Sequence, residues 1–172
     1  MRRFLAVVVV LAVALAGGCS AEKSPPSGSY RWVDSPARNW MFSYVSTQKI
    51  CSPADLEPLL DLFAAYEEGI LLVSVLEDVK FDPATECMVI LSHSETSGAN
   101  EVIRQKPYVN PKGELVCKFS RRTPDGGATA EAGEEGIPDM AYYGYVMIVK
   151  RDAFTNVVLR VEGKPDVRVR LG

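Results

Sequence analysis

The 172-residue chain is long enough to bury a core of its own, and its formal net charge of −3 gives no sign of a basic nucleic-acid-binding face. A single histidine, and four cysteines without a CxxC spacing, argue against a zinc site. These features predict no nucleic-acid partner and no metal, and the lack of a glycine-rich phosphate-binding loop predicts no cofactor.

The first 18 residues have the plan of an export signal. Arg2 and Arg3 precede the apolar run 4–16, which is too short to span a bilayer as a permanent helix. The following Ala16-Gly17-Gly18-Cys19 resembles a bacterial lipobox, the motif in which a cysteine is acylated and becomes the first residue after cleavage. We therefore expect a signal peptide over 1–18 and lipidation of Cys19; an ordinary secretory signal followed by an incidental cysteine is the alternative.

Residues 19–29 are polar, contain Pro25, Pro26 and Gly28, and predict a short tether between the lipid and the fold. Acyl chains on Cys19 would hold the domain at a membrane without spanning it. Ser20 is not the aspartate that retains lipoproteins at the inner membrane, which favours the outer membrane, facing the periplasm.

Residues 30–172 are expected to form a single β-rich domain. Residues 30–35 and 39–50 place aromatic side chains with a period of two, and together they predict an N-terminal β-hairpin. Ser52-Pro53 begins a helical pattern that predicts one helix near 53–68. Residues 70–81 fit either a strand or a helix tail, and their valines favour a strand.

The rest of the domain alternates apolar and polar residues or contains short apolar runs, as strands do. The predicted fold is α+β: a mainly antiparallel sheet, or a partly open barrel, packed on one main helix. The predicted strands are 86–93, 99–106, 114–122, 142–150, 156–163 and 166–171.

Export would make a disulfide possible. Apart from Cys19, the chain has three cysteines, so one pair among Cys51, Cys87 and Cys117 can form, and the sequence leaves all three choices open.

Residues 124–139 are rich in glycine, proline and acidic residues and predict a mobile loop. It is interpreted either as a surface insertion or as a contact for a partner or cation, although its carboxylates lack the EF-hand spacing.

Catalytic signals are sparse. His93 stands at a predicted strand end beside Ser92, Ser94, Glu95 and Ser97, but no GxSxG elbow accompanies it. A histidine at a loop tip without a catalytic role is the favoured interpretation, and the enzyme question stays open. The alternative is an envelope hydrolase that uses His93 with a nearby Ser or Glu.

Tyr142, Tyr143 and Tyr145 surround Gly144 in a predicted strand, where alternation sends Tyr143 and Tyr145 to one face and Tyr142 to the other. Such rings serve either as core or as a binding platform.

Three short motifs follow one another across residues 52–163. They are Phe81-Asp82 before an apolar strand, the turn at Ser97-Gly98 and the dipeptide Tyr142-Tyr143. This order resembles the PrcB-like C-terminal domain family, whose members are related to a component of a protease complex, although Ser-Gly-Ala stands in the turn where that family has Thr-Gly-Gly. The resemblance implies a small β-rich module that associates with other proteins, including proteases, and it transfers no catalytic residue.

Taken together, these signals favour a lipid-anchored cell-envelope accessory or binding protein that acts through protein contacts. Its expected partners are the membrane, through the lipid, and an envelope protein such as a protease. The candidate contact residues are Ser97, Gly98, Asn100, Tyr142, Tyr143 and Tyr145.

Overall fold

The computed structural model describes residues 22–95, 101–122 and 140–172. The helices are α1 (Pro53–Ala64) and α2 (Ile70–Glu77), with 3-10 turns at Trp40–Tyr44 and Glu67–Gly69. The strands are β1 (Tyr30–Trp32), β2 (Gln48–Ile50), β3 (Glu86–Glu95), β4 (Glu101–Arg104), β5 (Tyr108–Val109), β6 (Leu115–Arg122), β7 (Ala141–Lys150), β8 (Asn156–Val161) and β9 (Val167–Arg170).

The first sheet is antiparallel and has the order β1-β7-β3-β2. Its long central strands β3 and β7 pair over their whole length, from Glu86 opposite Lys150 to Glu95 opposite Ala141. Most residues of both strands are buried, on odd and even positions alike, so this sheet is covered on both faces. That explains why the strands appear in the sequence as continuous apolar runs.

The second sheet has the order β4-β6-β8-β9, and β5 pairs with β6 beside β4. β6 and β8 are parallel because the chain between them crosses to the first sheet as β7, and the other pairs are antiparallel. One core lies between the two sheets and a second lies between the first sheet and the helices. The α+β class is confirmed; over the described ranges, the strands form two sheets and do not close into a barrel.

The helical layer differs from the prediction of one helix. α1 begins as expected: the Ser52 hydroxyl accepts the N–H of Asp55, and the Asp55 carboxylate accepts the N–H of Ser52. A second helix, α2, follows where the valines of 70–81 favour a strand. Leu72 and Leu76, four residues apart, bury one face of it against the first sheet's core, and that spacing outweighs the strand propensity of its valines.

The predicted N-terminal hairpin is wrong. β1 pairs with β7 and β2 pairs with β3, so the two segments lie on opposite edges of the first sheet. Between them, Trp40–Tyr44 forms a 3-10 turn, which buries Met41 and Phe42 and leaves Trp40 and Tyr44 exposed. The period of two therefore reflects a strand at Tyr30 and Trp32 but a turn of 3-10 helix at Trp40, Phe42 and Tyr44.

Gly144 fixes the height of that 3-10 turn above the sheet. A Cβ at this position would lie 2.2 Å from ring carbons of Phe42, whose own ring is 4% exposed and packs edge-on against Phe63. We expect Gly144→Ala to lower the free energy of unfolding by about 2 kcal/mol, because the buried ring has little room to move. Urea unfolding would measure this, and Gly172→Ala, where a Cβ meets nothing within 4 Å, is the control. Equal stability of both variants would contradict the close approach.

Candidate functional site

Three aromatic rings form an exposed cluster on the helical side of the molecule. The ring centroids of Trp40 and Tyr44 are 5.4 Å apart, those of Trp40 and Tyr66 are 5.3 Å apart, and Tyr44 stacks on Tyr66 at 5.7 Å. Their exposed fractions are 37%, 52% and 37%, respectively. We call Trp40, Tyr44 and Tyr66 the aromatic surface.

The surrounding structure holds the aromatic surface in place. The Asn39 side chain accepts the N–H of Met41, which caps the 3-10 turn, and its amide donates to the carbonyl of Glu68 at 3.1 Å. That second bond ties the turn carrying Trp40 and Tyr44 to the chain just after Tyr66. The three rings are therefore arranged before any ligand arrives.

Gly69 holds the third ring close to α1. A Cβ at Gly69 would lie 2.0 Å from the carbonyl oxygen of Phe63, so only glycine lets the chain turn this tightly after Tyr66. Just beyond it, Ile70 and Leu71 are 59% and 58% exposed. Apolar residues of this size at the surface are typical of a contact region.

Chemically, the aromatic surface offers ring faces and hydroxyl groups. Partial desolvation by its neighbours, and then the adjacent Tyr66, raise the pKa of the Tyr44 hydroxyl above its ordinary value, so this group acts as a neutral hydroxyl. Tryptophan and tyrosine in such clusters dominate the binding energy of many protein interfaces.

Tyr142 lies in a shallow cleft next to the aromatic surface. The cleft has a volume of about 370 Å³ and shares Trp40 with the cluster, while Met140, 42% exposed, forms another part of its wall. The Tyr142 hydroxyl contacts the sulfur of Met140 at 3.8 Å. Of the predicted tyrosines, Tyr142 is thus the one that the structure places beside this surface.

Tyr145 lies on the opposite face of β7 and lines a different cleft, about 510 Å³ in volume, between the edges of the two sheets. There the Trp32 ring packs edge-on against Tyr145 with centroids 6.4 Å apart, and the Arg104 guanidinium lies 4.5 Å from the centre of the Trp32 ring. Tyr145 itself is only 7% exposed. Its ring is mainly part of the core between the sheets.

Tyr143 is also buried, 6% exposed, and stacks on His93 with ring centroids 5.4 Å apart. The interpretation of His93 as a loop-tip residue is wrong: it lies within β3, and its side chain is 6% exposed. Burial and the nearby Lys164 lower the pKa of His93 to about 4, although Glu95 opposes the shift. His93 is therefore a neutral imidazole at pH 7.

Glu95 is fully buried and contacts two cationic side chains and the neutral His93. Arg121 Nε lies 2.9 Å from Oε2, Lys164 Nζ lies 3.1 Å from Oε1, and His93 Nε2 lies 3.6 Å from Oε1. Lys164 also donates to the carbonyl of Ser94. We call His93, Glu95, Arg121 and Lys164 the charged cluster; it joins the ends of β3 and β6 to the turn between β8 and β9.

The charged cluster lacks the arrangement of a serine hydrolase among its described residues. Alternation along β3 puts Ser92 and Ser94 on the face opposite His93, and the Ser92 hydroxyl donates to the carbonyl of Val45. Glu95 is close to His93, but two cations occupy its carboxylate.

Several predicted residues lie outside the described ranges. They are Ser97, Gly98 and Asn100, the lipidation site Cys19, the signal peptide 1–18 and the loop 124–139, of which the structure describes nothing. Cys51, Cys87 and Cys117 are described, and none is joined in a disulfide in the structure. Within residues 22–95, 101–122 and 140–172, no group of acidic, histidine or cysteine side chains could hold a metal ion, and no helix is long and apolar enough to cross a membrane.

No family model, curated protein or solved structure matches the chain.

Sequence reasoning misses the aromatic surface. The local pattern places Trp40 and Tyr44 in a strand and Tyr66 at a helix end, with nothing to join them. The spacing of four between Trp40 and Tyr44 is the one local signal that points to a shared face, and the contact with Tyr66 depends on the tertiary fold.

Proposed function

We propose that this protein is a lipid-anchored binding protein of the cell envelope, and that the aromatic surface is the face that contacts its protein partner. The anchor would be the lipid on Cys19. The described part of the predicted tether 19–29 is bound to the domain, since Lys23 and Val109 exchange backbone hydrogen bonds and Ser29 is 3% exposed. The observation that carries the proposal is the exposed, mutually packed cluster of Trp40, Tyr44 and Tyr66.

The cost of exposing these rings supports a binding role. Removing a large aromatic side chain from water lowers the free energy of the system. Here three such side chains remain 37% to 52% exposed on one face. The three rings are already packed on one another and held through Asn39. Binding of a partner would therefore cost little side-chain conformational entropy. Charged residues flank the aromatic surface in the chain, as in the polar rim of an interface. They are Arg38, which is exposed, Glu67 and Glu68.

A protease is the partner class that the resemblance to the PrcB-like family suggests. The proposed role is that of an accessory protein, which presents a rigid face to an enzyme in the same compartment, and no catalytic group of this chain is involved.

The proposal can be tested with affinity purification of the full-length lipidated protein from its own membranes after gentle crosslinking. We expect a reproducible partner with the wild-type protein and at least a roughly tenfold lower recovery with Trp40→Ala or Tyr44→Ser, because truncating an interface aromatic commonly costs about 2 kcal/mol or more.

Val167→Ser is the matched control, since Val167 is 42% exposed but lies on β9 in the other sheet. Unchanged recovery with both aromatic variants, measured on protein with wild-type stability, would show that the aromatic surface is not the partner-binding face.

A further inference from the structure

We propose that Cys51 and Cys87 form a disulfide bond in the exported protein, and that this bond encloses the helical layer that carries Tyr66. The proposal rests on the export assumed in the proposed function, since only an oxidising compartment maintains such a bond.

Strand register places the two cysteines opposite each other. β2 and β3 are antiparallel, with Lys49 opposite Val89 and Ile50 opposite Met88. One further step along the same register brings Cys51 opposite Cys87. Directly opposed residues of antiparallel strands have Cα atoms about 4.5 to 5.5 Å apart, which lies within the range that disulfides span.

The two side chains also point to the same side of the sheet. Ile50 and Met88 belong to the core under the helices, whereas Cys87 belongs to the core between the sheets and Cys51 packs against that core. Burial, together with the neighbouring Cys51 thiol, raises the pKa of the Cys87 thiol to about 11, in keeping with this placement. Register and shared core together place the two side chains next to each other on one face of the sheet.

Cys117 is the cysteine left over. It lies in β6 of the second sheet, is 1% exposed, and its thiol contacts the sulfur of Met147 at 3.7 Å. Burial raises its pKa to about 12, and the contact that its sulfur makes is to Met147 of β7 and not to another cysteine. The choice among three pairs that the sequence leaves open thus narrows to one.

The bond would form by exchange with the disulfide of a thiol oxidase of the envelope. The half-buried Cys51 attacks the external disulfide as a thiolate, and one thiol of the oxidase leaves. The Cys87 thiolate then attacks the Cys51 sulfur, and the second oxidase thiol leaves. The two cysteines lose two protons and two electrons, and the oxidase disulfide is reduced to a dithiol.

The enclosed segment gives the bond a structural consequence. Residues 51–87 contain α1, the 3-10 turn Glu67–Gly69 and α2, so the bond would close a covalent ring around the helical layer. The backbone at Cys51 is already held, because its N–H and that of Ser52 both donate to the Asp55 carboxylate. The docking face proposed above would then depend on the redox state of the compartment.

The first experiment uses the full-length lipidated protein, purified from membranes, reduced, and then exposed to oxidised glutathione. Peptide mapping by mass spectrometry without reduction should show Cys51 joined to Cys87 and Cys117 still alkylatable after unfolding. The oxidised form should melt roughly 5 to 10 °C higher than the reduced form, and Cys117→Ser should retain this difference while Cys51→Ser loses it. A pair that includes Cys117, or no pair after complete oxidation, would overturn the assignment.

A second experiment distinguishes failure of the cysteines to pair from absence of the protein from an oxidising compartment. Thiols are trapped with acid in intact cells and labelled with a maleimide mass tag. Protection of Cys51 and Cys87 supports the proposal. If both are labelled in cells although the purified protein forms the pair, the assumption of an oxidising location fails and the proposal falls with it; if the purified protein does not form the pair, the geometry fails regardless of export.

Discussion

Replacing Glu95 with Ala should lower the free energy of unfolding by roughly 3 kcal/mol, the largest effect we expect from a single substitution in this domain. Glu95 is 0% exposed, and its carboxylate is the shared partner of Arg121 and Lys164. Its removal leaves both cations without their buried counterion and opens a cavity next to His93. Arg121 and Lys164 are 33% and 27% exposed and can partly regain water, which keeps the effect near the low end for a broken buried ion pair.

Urea unfolding of the full chain measures this effect. Glu95→Gln separates charge from volume: it fills the space but cannot neutralise the cations, so we expect it to lose more than half of the stability lost by Glu95→Ala. Glu101→Ala is the matched control, because Glu101 is an exposed glutamate on the neighbouring β4. A loss below about 1 kcal/mol for Glu95→Ala would show that the charged cluster does not join the two sheets.

Acidification should destabilise the protein between about pH 6.5 and pH 4 through His93. The pKa of His93 is about 4 in the folded protein against 6.5 for the free side chain, so within this window the unfolded chain binds a proton that the folded chain does not. Stability therefore falls as the pH falls, by at most about 1.4 kcal/mol per pH unit for this one group. Above pH 6.5 both states are neutral and the contribution is constant.

The groups that face His93 are Lys164, Arg121 and Glu95, with Tyr143 stacked on its ring. Hydrogen bonds to Asn110 and Arg160 lower the pKa values of Glu114 and Asp166, respectively. Protonation of these two carboxylates in acid therefore also reduces the stability of the protein. The informative quantity is thus the difference between the wild type and His93→Phe, which keeps the stack on Tyr143.

We expect that difference to shift in favour of the variant as the pH falls from 6.5 to 4 and to stay flat between pH 7 and pH 9. Parallel pH profiles for the two proteins would contradict the burial of a neutral imidazole.

The strands of the domain are predictable because their signal is local. The short apolar runs of β3 and β7, and the alternation in β8 and β9, need no knowledge of their partners. The pairing of those strands is not predictable: β1 and β2 lie close together in sequence, yet each pairs with a distant strand, and the parallel pair β6–β8 is separated by a strand of the other sheet.

The helical layer shows where local propensity fails. α2 is apolar almost all round, and a short apolar segment rich in valine fits a strand as well as a helix. Only the packing of Leu72 and Leu76 on the first sheet decides between them.

Sites are harder to predict than elements. Alternation correctly separates Tyr142 from Tyr143 and Tyr145, because it depends only on the strand. The aromatic surface joins a 3-10 turn to the end of α1, and the charged cluster joins three segments that are distant in sequence. No sequence pattern within one segment predicts the tertiary contacts that form either cluster.

The most direct test of the proposed partner face places a photo-activatable phenylalanine analogue at position 44 of the lipidated protein in its native membranes. Tyr44 is the most exposed ring of the aromatic surface, so a crosslinker there should reach whatever covers it. The same analogue at Asp152, an exposed residue in the turn after β7, is the control. We expect one discrete crosslinked protein from position 44 and none from position 152. The same pattern from both positions, or none from either, would contradict a protein partner on the aromatic surface.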